Sequence, residues 1–180
     1  PRGLAHKEQL QHLQPFSVGV SSASPYQGCE SFLKKGRMMA TLTDPMKEMI
    51  SQQLPFLATV TDAETLRPNL GPKRSLRVWD DHTLVYNENT GRQHYENLRE
   101  GSLAAVAVVD WAELDGYRFI GPAEIHRTGP VWDACLAYAE AHGYAPPKAG
   151  VLIHVQQIYT LMIGAHAGEL IDSDDPDYCV

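Results

Sequence analysis

Cysteine is scarce in this 180-residue chain: Cys29, Cys135 and Cys179 are widely spaced and form no CxxC pair. That excludes a disulfide framework and a zinc ribbon, and a reduced, cytoplasmic setting is expected. Positive charge is also short, with 15 Lys and Arg against 22 Asp and Glu and a formal charge of −7. This is the wrong sign for wrapping nucleic acid, so no nucleic-acid partner is expected and any anion site must be local. No apolar run approaches the roughly 20 residues that cross a bilayer, and the chain does not open on a basic segment followed by an apolar one. Neither a membrane partner nor export is therefore expected. GxGxxG, HxH and HExxH are missing as well. The first absence argues against a resident nicotinamide cofactor, and the other two leave the eight histidines without metal-ligand spacing, so no metal site is expected.

What is present is enough apolar material, 43% of the residues, for one buried core. Residues 1–37 are polar and aperiodic and read as an N-terminal arm or non-core extension. Pattern begins at Met38, and the domain is expected over 38–165, followed by an acidic tail over 166–180 whose Asp172–Asp177 stretch reads as solvated. Thr43-Asp44-Pro45 caps a short helix with Met46, Met49 and Ile50 on one face. Strand formers recur at 56–61, 75–79, 83–87, 103–111 and 117–126, with turns between them, and a last strand is expected over 151–161. A second long helix is expected over 131–142, ending at Gly143. The sum is a mainly β fold, an antiparallel Greek-key split β-barrel of about six strands with peripheral helices; without βαβ alternation, a doubly wound sheet is not expected. Trp79, Trp111, Tyr86 and Tyr117 fall on predicted strands, where packing is the expected role for at least three. Cys135 lies in an apolar helical stretch and reads as a buried, inert thiol.

The sharpest local signal is Asn89-Thr90-Gly91-Arg92-Gln93-His94, a polar turn leaving a strand and entering the helix start Tyr95-Glu96-Asn97-Leu98-Arg99. Backbone N–H groups at such a start lack intrahelical partners and suit a phosphate, to which Arg92 and His94 could add donors. A hairpin would bring Pro72-Lys73-Arg74-Ser75 toward the same turn. The alternative is that Asn-Thr-Gly is merely a turn and Lys73, Arg74 and Arg92 are solvated charges. Spacing alone names no ligand and no catalytic residue.

Several segments in order resemble the pyridoxamine 5'-phosphate oxidase-like, FMN-binding split-barrel superfamily: Leu57–Thr61, Arg67-Pro68-Asn69, Leu84–Asn87, Asn97-Leu98-Arg99, Ala105–Asp110 and Gly116–Ile125. Arg127-Thr128-Gly129-Pro130 is especially similar to the small bacterial FMN-binding proteins of that group. The resemblance spans about residues 54–161. It implies flavin mononucleotide (FMN) as cofactor, bound by Pro72, Lys73, Arg74 and Ser75 together with Asn89, Thr90, Gly91, Arg92, Gln93 and His94. It also implies a homodimer with FMN at the interface, and an FMN-dependent oxidoreductase served by a redox partner or nicotinamide donor. A non-enzymatic electron carrier is the alternative, and haem or a deazaflavin in place of FMN a third reading, with His154 or His166 then needing an axial role. Where the oxidases carry Ser-Arg-Lys, this chain has Arg92-Gln93-His94, and their Arg-x-His substrate segment is missing from its C-terminal stretch. Oxidation of pyridoxamine phosphate itself is therefore not expected.

Overall fold

A computed structural model describes residues 39–61 and 64–174. The arm expected over 1–37 lies outside the described residues. Helix α1, Asp44–Gln52, starts after the extended Thr43 with Pro45 in its first turn, and buries Met46 and Ile50. The described residues form two antiparallel sheets. The larger has the order β10-β9-β6-β5-β1-β2, built from β1 Phe56–Val60, β2 Pro68–Pro72, β5 Ala104–Asp110, β6 Asp115–Gly121, β9 Gln157–Thr160 and β10 Leu170–Ser173. The smaller runs β3-β4-β8-β7, from β3 Arg77–Val78, β4 Thr83–Glu88, β7 Ala123–His126 and β8 Ala149–His154. Two further helices, α2 Gln93–Arg99 and α3 Pro130–Ala141, complete the element order. Alternation along β5 buries Ala104, Val106 and Val108, which join Leu57, Leu84, Tyr86, Phe119, Val151, Ile153 and Ile158 in one core. A satellite of Val85, Val131, Cys135 and Leu152 fixes α3 on the outside of the smaller sheet. Apolar burial of this kind stabilises by about 1.5–3 kcal/mol per large side chain. No helix among the described residues is long and apolar enough to cross a membrane.

The mainly β class stands, but six strands become ten among the described residues. Two runs that read as single strands each serve both sheets. The run 117–126 bends at Pro122, which divides β6 from β7, and the run 151–161 bends after His154, dividing β8 from β9. Both bends meet at one corner, where His154 N–H donates to Pro122 O at 2.9 Å and Gln156 N–H to Ile120 O at 2.8 Å. A side chain at Gly121 would place its Cβ 1.7 Å from the His154 carbonyl oxygen. Periodicity continues from Phe119 through Ala123 and Ile125, which hides the first bend, whereas the second shifts the core-facing positions from Val155 to Ile158 within one strand-forming run. The acidic tail is also corrected: Leu170–Ser173 is strand β10, paired with β9, and Asp172 Oδ2 accepts the Thr41 N–H at 2.8 Å. Residues 175–180 lie outside the described residues. Of the four aromatics, with packing expected for at least three, two pack: Tyr86 is buried and Tyr117 packs against the core, whereas Trp79 and Trp111, each just past its strand's end, are exposed.

Gly121→Ala forces one of two backbones to move, and is expected to destabilise by about 4 kcal/mol or more. Thermal and urea denaturation of the variant measure this; a change within about 1 kcal/mol contradicts the corner.

Candidate functional site

Period two along β4 sends Leu84, Tyr86 and Glu88 to the same face, and the first two belong to the core. Glu88 is therefore carried inward and is fully buried. An isolated carboxylate would not be tolerated there. Glu88 Oε1 accepts Thr90 N–H at 2.8 Å, Thr90 Oγ1–H at 2.7 Å and Gly91 N–H at 2.9 Å, while Oε2 accepts Lys73 Nζ at 2.9 Å. Burial pushes its pKa up, but the hydrogen bond from Thr90, the charge and hydrogen bond of Lys73 and the Gly91 N–H outweigh it and hold the carboxyl below its ordinary value. Lys73 Nζ lies 4.7 Å over the Tyr86 ring, so the aromatic face shares the cation. Burial, then the Glu88 charge, drives the Tyr86 phenol strongly upward. Gly91 closes the turn at φ 59°, a conformation that suits glycine. Lys148 braces the turn from outside, its Nζ donating to Thr90 O at 2.8 Å and its N–H to Glu88 O at 2.7 Å.

The opposite face of β4 presents Asn87, which is also buried. Its N–H donates to Ser75 Oγ at 3.0 Å, its Nδ2 donates to Cys135 O at 2.8 Å, and Arg77 Nη1 donates to its Oδ1 at 3.3 Å. Arg77 continues over the Tyr138 ring at 4.2 Å. Burial raises the Cys135 thiol, partly offset by Arg77, which keeps the thiol protonated and poorly nucleophilic.

These two networks line an open cleft of about 440 Å³ bounded by Pro72, Lys73, Arg74, Ser75, Asn87, Glu88, Asn89, Thr90 and Tyr144. The two segments singled out from sequence thus meet, and six of their ten residues line one cleft: Pro72, Lys73, Arg74, Ser75, Asn89 and Thr90. Arg74 is exposed there. Gly91, Arg92, Gln93 and His94 are not among the lining residues. For Arg92, Gln93 and His94 the start of α2 sets the direction. Arg92 is its exposed N-cap, Gln93 Nε2 donates to Asn97 Oδ1 at 2.6 Å, and His94 Nδ1 faces Thr59 Oγ1 at 3.0 Å.

Thr59 Oγ1 also accepts Asn97 Nδ2–H at 2.9 Å, and its second lone pair and its own proton can answer either neutral tautomer of His94. Burial, reinforced by the Lys73 charge and opposed by Glu88, lowers its pKa from 6.5 to about 4. A proton-donating role for His94 beside a flavin ring gains no support from this arrangement.

Sequence reasoning missed Glu88, Asn87 and Tyr144. For Glu88 the signal was present, since Leu84, Tyr86 and Glu88 share one period-two face, but an acidic residue at a strand end ordinarily reads as solvated. Tyr144 follows α3 and reaches the cleft only through the tertiary fold.

Lys73→Met leaves the Glu88 charge buried without its cation and is expected to cost about 3–5 kcal/mol. Lys73→Met/Glu88→Leu should recover much of that loss in urea denaturation, and additive losses would contradict the coupling. The His94 shift carries a pH dependence. The unfolded chain binds the proton near pH 6.5 and the folded chain only near 4, so stability is full above the upper value and falls as pH drops through that window. Thermal denaturation of the wild type and His94→Asn across this range should show the wild type losing more; parallel curves would contradict it.

Comparison with known proteins places the chain. Residues 42–162 match the family model of pyridoxamine 5'-phosphate oxidase. The structure of HupZ from Group A Streptococcus is similar at 43% identity and TM-score 0.64, covering 71% of this chain and 99% of that one. A candidate pyridoxamine 5'-phosphate oxidase of Lactobacillus delbrueckii is similar at 28% identity and TM-score 0.59, covering 68% and 99%. An FMN-binding protein of Syntrophomonas wolfei shares the fold, at 17% identity and TM-score 0.53, covering 67% and 86%. With two thirds of its length matched and the split-barrel sheets in place, the chain belongs to the pyridoxamine 5'-phosphate oxidase family.

Proposed function

We propose that this protein binds a flavin, with FMN as the candidate form, in the cleft between residues 72–75 and 89–90, and works as a flavin-dependent oxidoreductase. The observation that carries the reading is the meeting of these two segments, 15 residues apart at the Lys73–Glu88 contact, around one open cleft in a chain of this family. The flavin, when bound, supplies the redox chemistry. Arg74 at the cleft mouth is the cation available to an anionic ligand.

The turn itself does not fit a phosphate. Lys73, Thr90 and Gly91 are its natural donors, and every one is hydrogen-bonded to Glu88. A phosphate placed among them would meet a buried carboxylate at contact distance, a repulsion of several kcal/mol at low effective dielectric. A phosphate clamp at this turn therefore has no part in the proposed chemistry.

We further propose that the protein is a homodimer through the outer face of the larger sheet. Phe56, Val60, Leu70 and Val109 are exposed, and with Ala58, Ala105 and Ala107 they form an apolar patch in register across β2, β1 and β5. A contiguous apolar sheet face of this kind favours a protein partner. The edge strand β2 carries Pro68 and Pro72, which disfavour continued strand pairing and leave face-to-face packing. Pro72 borders both the face and the cleft, so a second copy would lie beside the ligand.

The wild type should quench flavin fluorescence on titration, and Arg74→Ala should weaken binding by about threefold to tenfold, the worth of one exposed charge. No uptake of any flavin contradicts the assignment. Reduction of the bound flavin by NADH or NADPH supports an enzyme, and reduction by a protein donor alone supports a carrier. Leu70→Glu should convert a dimer to monomer in analytical ultracentrifugation; a monomeric wild type contradicts the interface.

A further inference from the structure

We infer that Glu88 is a built-in counter-anion for the turn, taking up the donors that an incoming phosphate monoester would need, so that the cleft holds a flavin by its ring and ribityl chain and is indifferent to the terminal phosphate. This rests on the flavin reading above, but its own support is the Glu88 site. All four hydrogen bonds to the carboxylate are between 2.7 and 2.9 Å. They come from one cation, one hydroxyl and two backbone N–H groups, the donor set that proteins use for phosphate oxygens. Each of these groups already has the carboxylate as its acceptor within the chain, and this is not a surface arrangement: Glu88 is fully buried and the Lys73 side chain is 12% exposed.

Two features keep the carboxylate where it is. Glu88 sits at the end of β4, where Glu88 pairs with Ala149 of β8 and its carbonyl accepts the Lys148 N–H, so the backbone cannot swing aside without unpairing the strand. Lys148 holds the far side of the turn through Thr90 O, which fixes the N–H groups toward Glu88. An added dianion would have to displace a buried carboxylate that is hydrogen-bonded on both oxygens, at the cost of those four bonds. The site therefore replaces the anion of the cofactor with an anion of the protein. Selectivity among flavins must then come from the ring and the chain, with Arg74 contributing only at the solvent-exposed mouth.

The test uses the full-length protein with three probes: FMN, riboflavin and inorganic phosphate. Glu88→Gln is the chosen variant because the amide oxygen can still accept from Thr90 and Gly91 while Lys73 loses its counter-charge. The wild type is expected to bind FMN and riboflavin within about tenfold of one another, and the variant to shift that ratio toward FMN by at least about tenfold, as removal of one close negative charge requires. A wild type that prefers FMN by more than about tenfold overturns the inference while leaving the flavin reading intact, as does a folded variant whose ratio does not move. Binding of neither flavin ends the flavin reading, and the phosphate arm then decides alone. Millimolar phosphate should raise the Tm of the variant and not that of the wild type, and a phosphate-stabilised wild type overturns the inference. If Glu88→Gln does not fold, the wild-type ratio and the wild-type response to phosphate still decide between these outcomes.

Discussion

A buried carboxylate survives only where its charge is answered atom by atom, and the cleft end of this barrel is organised around that requirement. Glu88 needs Lys73, which places the end of β2 beside the end of β4. It needs the Thr90 and Gly91 N–H groups, which set the shape of the turn, and the turn in turn sets where α2 begins. The cleft is the space left outside this closed cluster. Desolvation makes such a pair a weak source of net stability but a strong constraint on geometry, since either partner alone would be costly. The same requirement separates the two faces of β4: charge toward the barrel at Glu88, and neutral amide and hydroxyl toward α3 at Asn87 and Ser75.

Much of the fold was legible because hydrophobic periodicity reports local geometry. The capped α1, the alternating β5 and α3 ending before Gly143 all follow from spacing and end signals, with Gly143 at φ 68°. Corners were not legible. At Pro122 the alternation runs on, from Phe119 to Ala123 and Ile125, while the chain passes from one sheet to the other; after His154 the core-facing positions change phase between Val155 and Ile158 inside a run that reads as one strand. β10 was hidden differently: Asp172 and Ser173 lie in a run whose acidity reads as solvated, and the strand exists because β9 and Thr41 provide hydrogen-bond partners.

For the candidate site, sequence located the two segments that meet but not the group that joins them. Resemblance to a flavin-binding family pointed to Lys73 and the 89–94 turn as donors to a cofactor. The structure retains both as donors and assigns them an acceptor within the chain. Arg92, Gln93 and His94 were chosen for their chemistry, yet the side-chain direction at a helix start is set by φ and ψ, and α2 turns them toward solvent, Asn97 and Thr59. Family likeness carries over the placement of backbone segments better than the occupancy of their hydrogen bonds.

The hydrogen bond from Thr41 to Asp172 joins positions 131 residues apart. It draws the approach to α1 and the end of β10 to one spot. The larger sheet is open there, with β10 at its edge and β9 its one strand neighbour. An edge strand tied on its free side by a single side chain is a part of a sheet that opens early, so the approach to α1 and β10 are expected to loosen together.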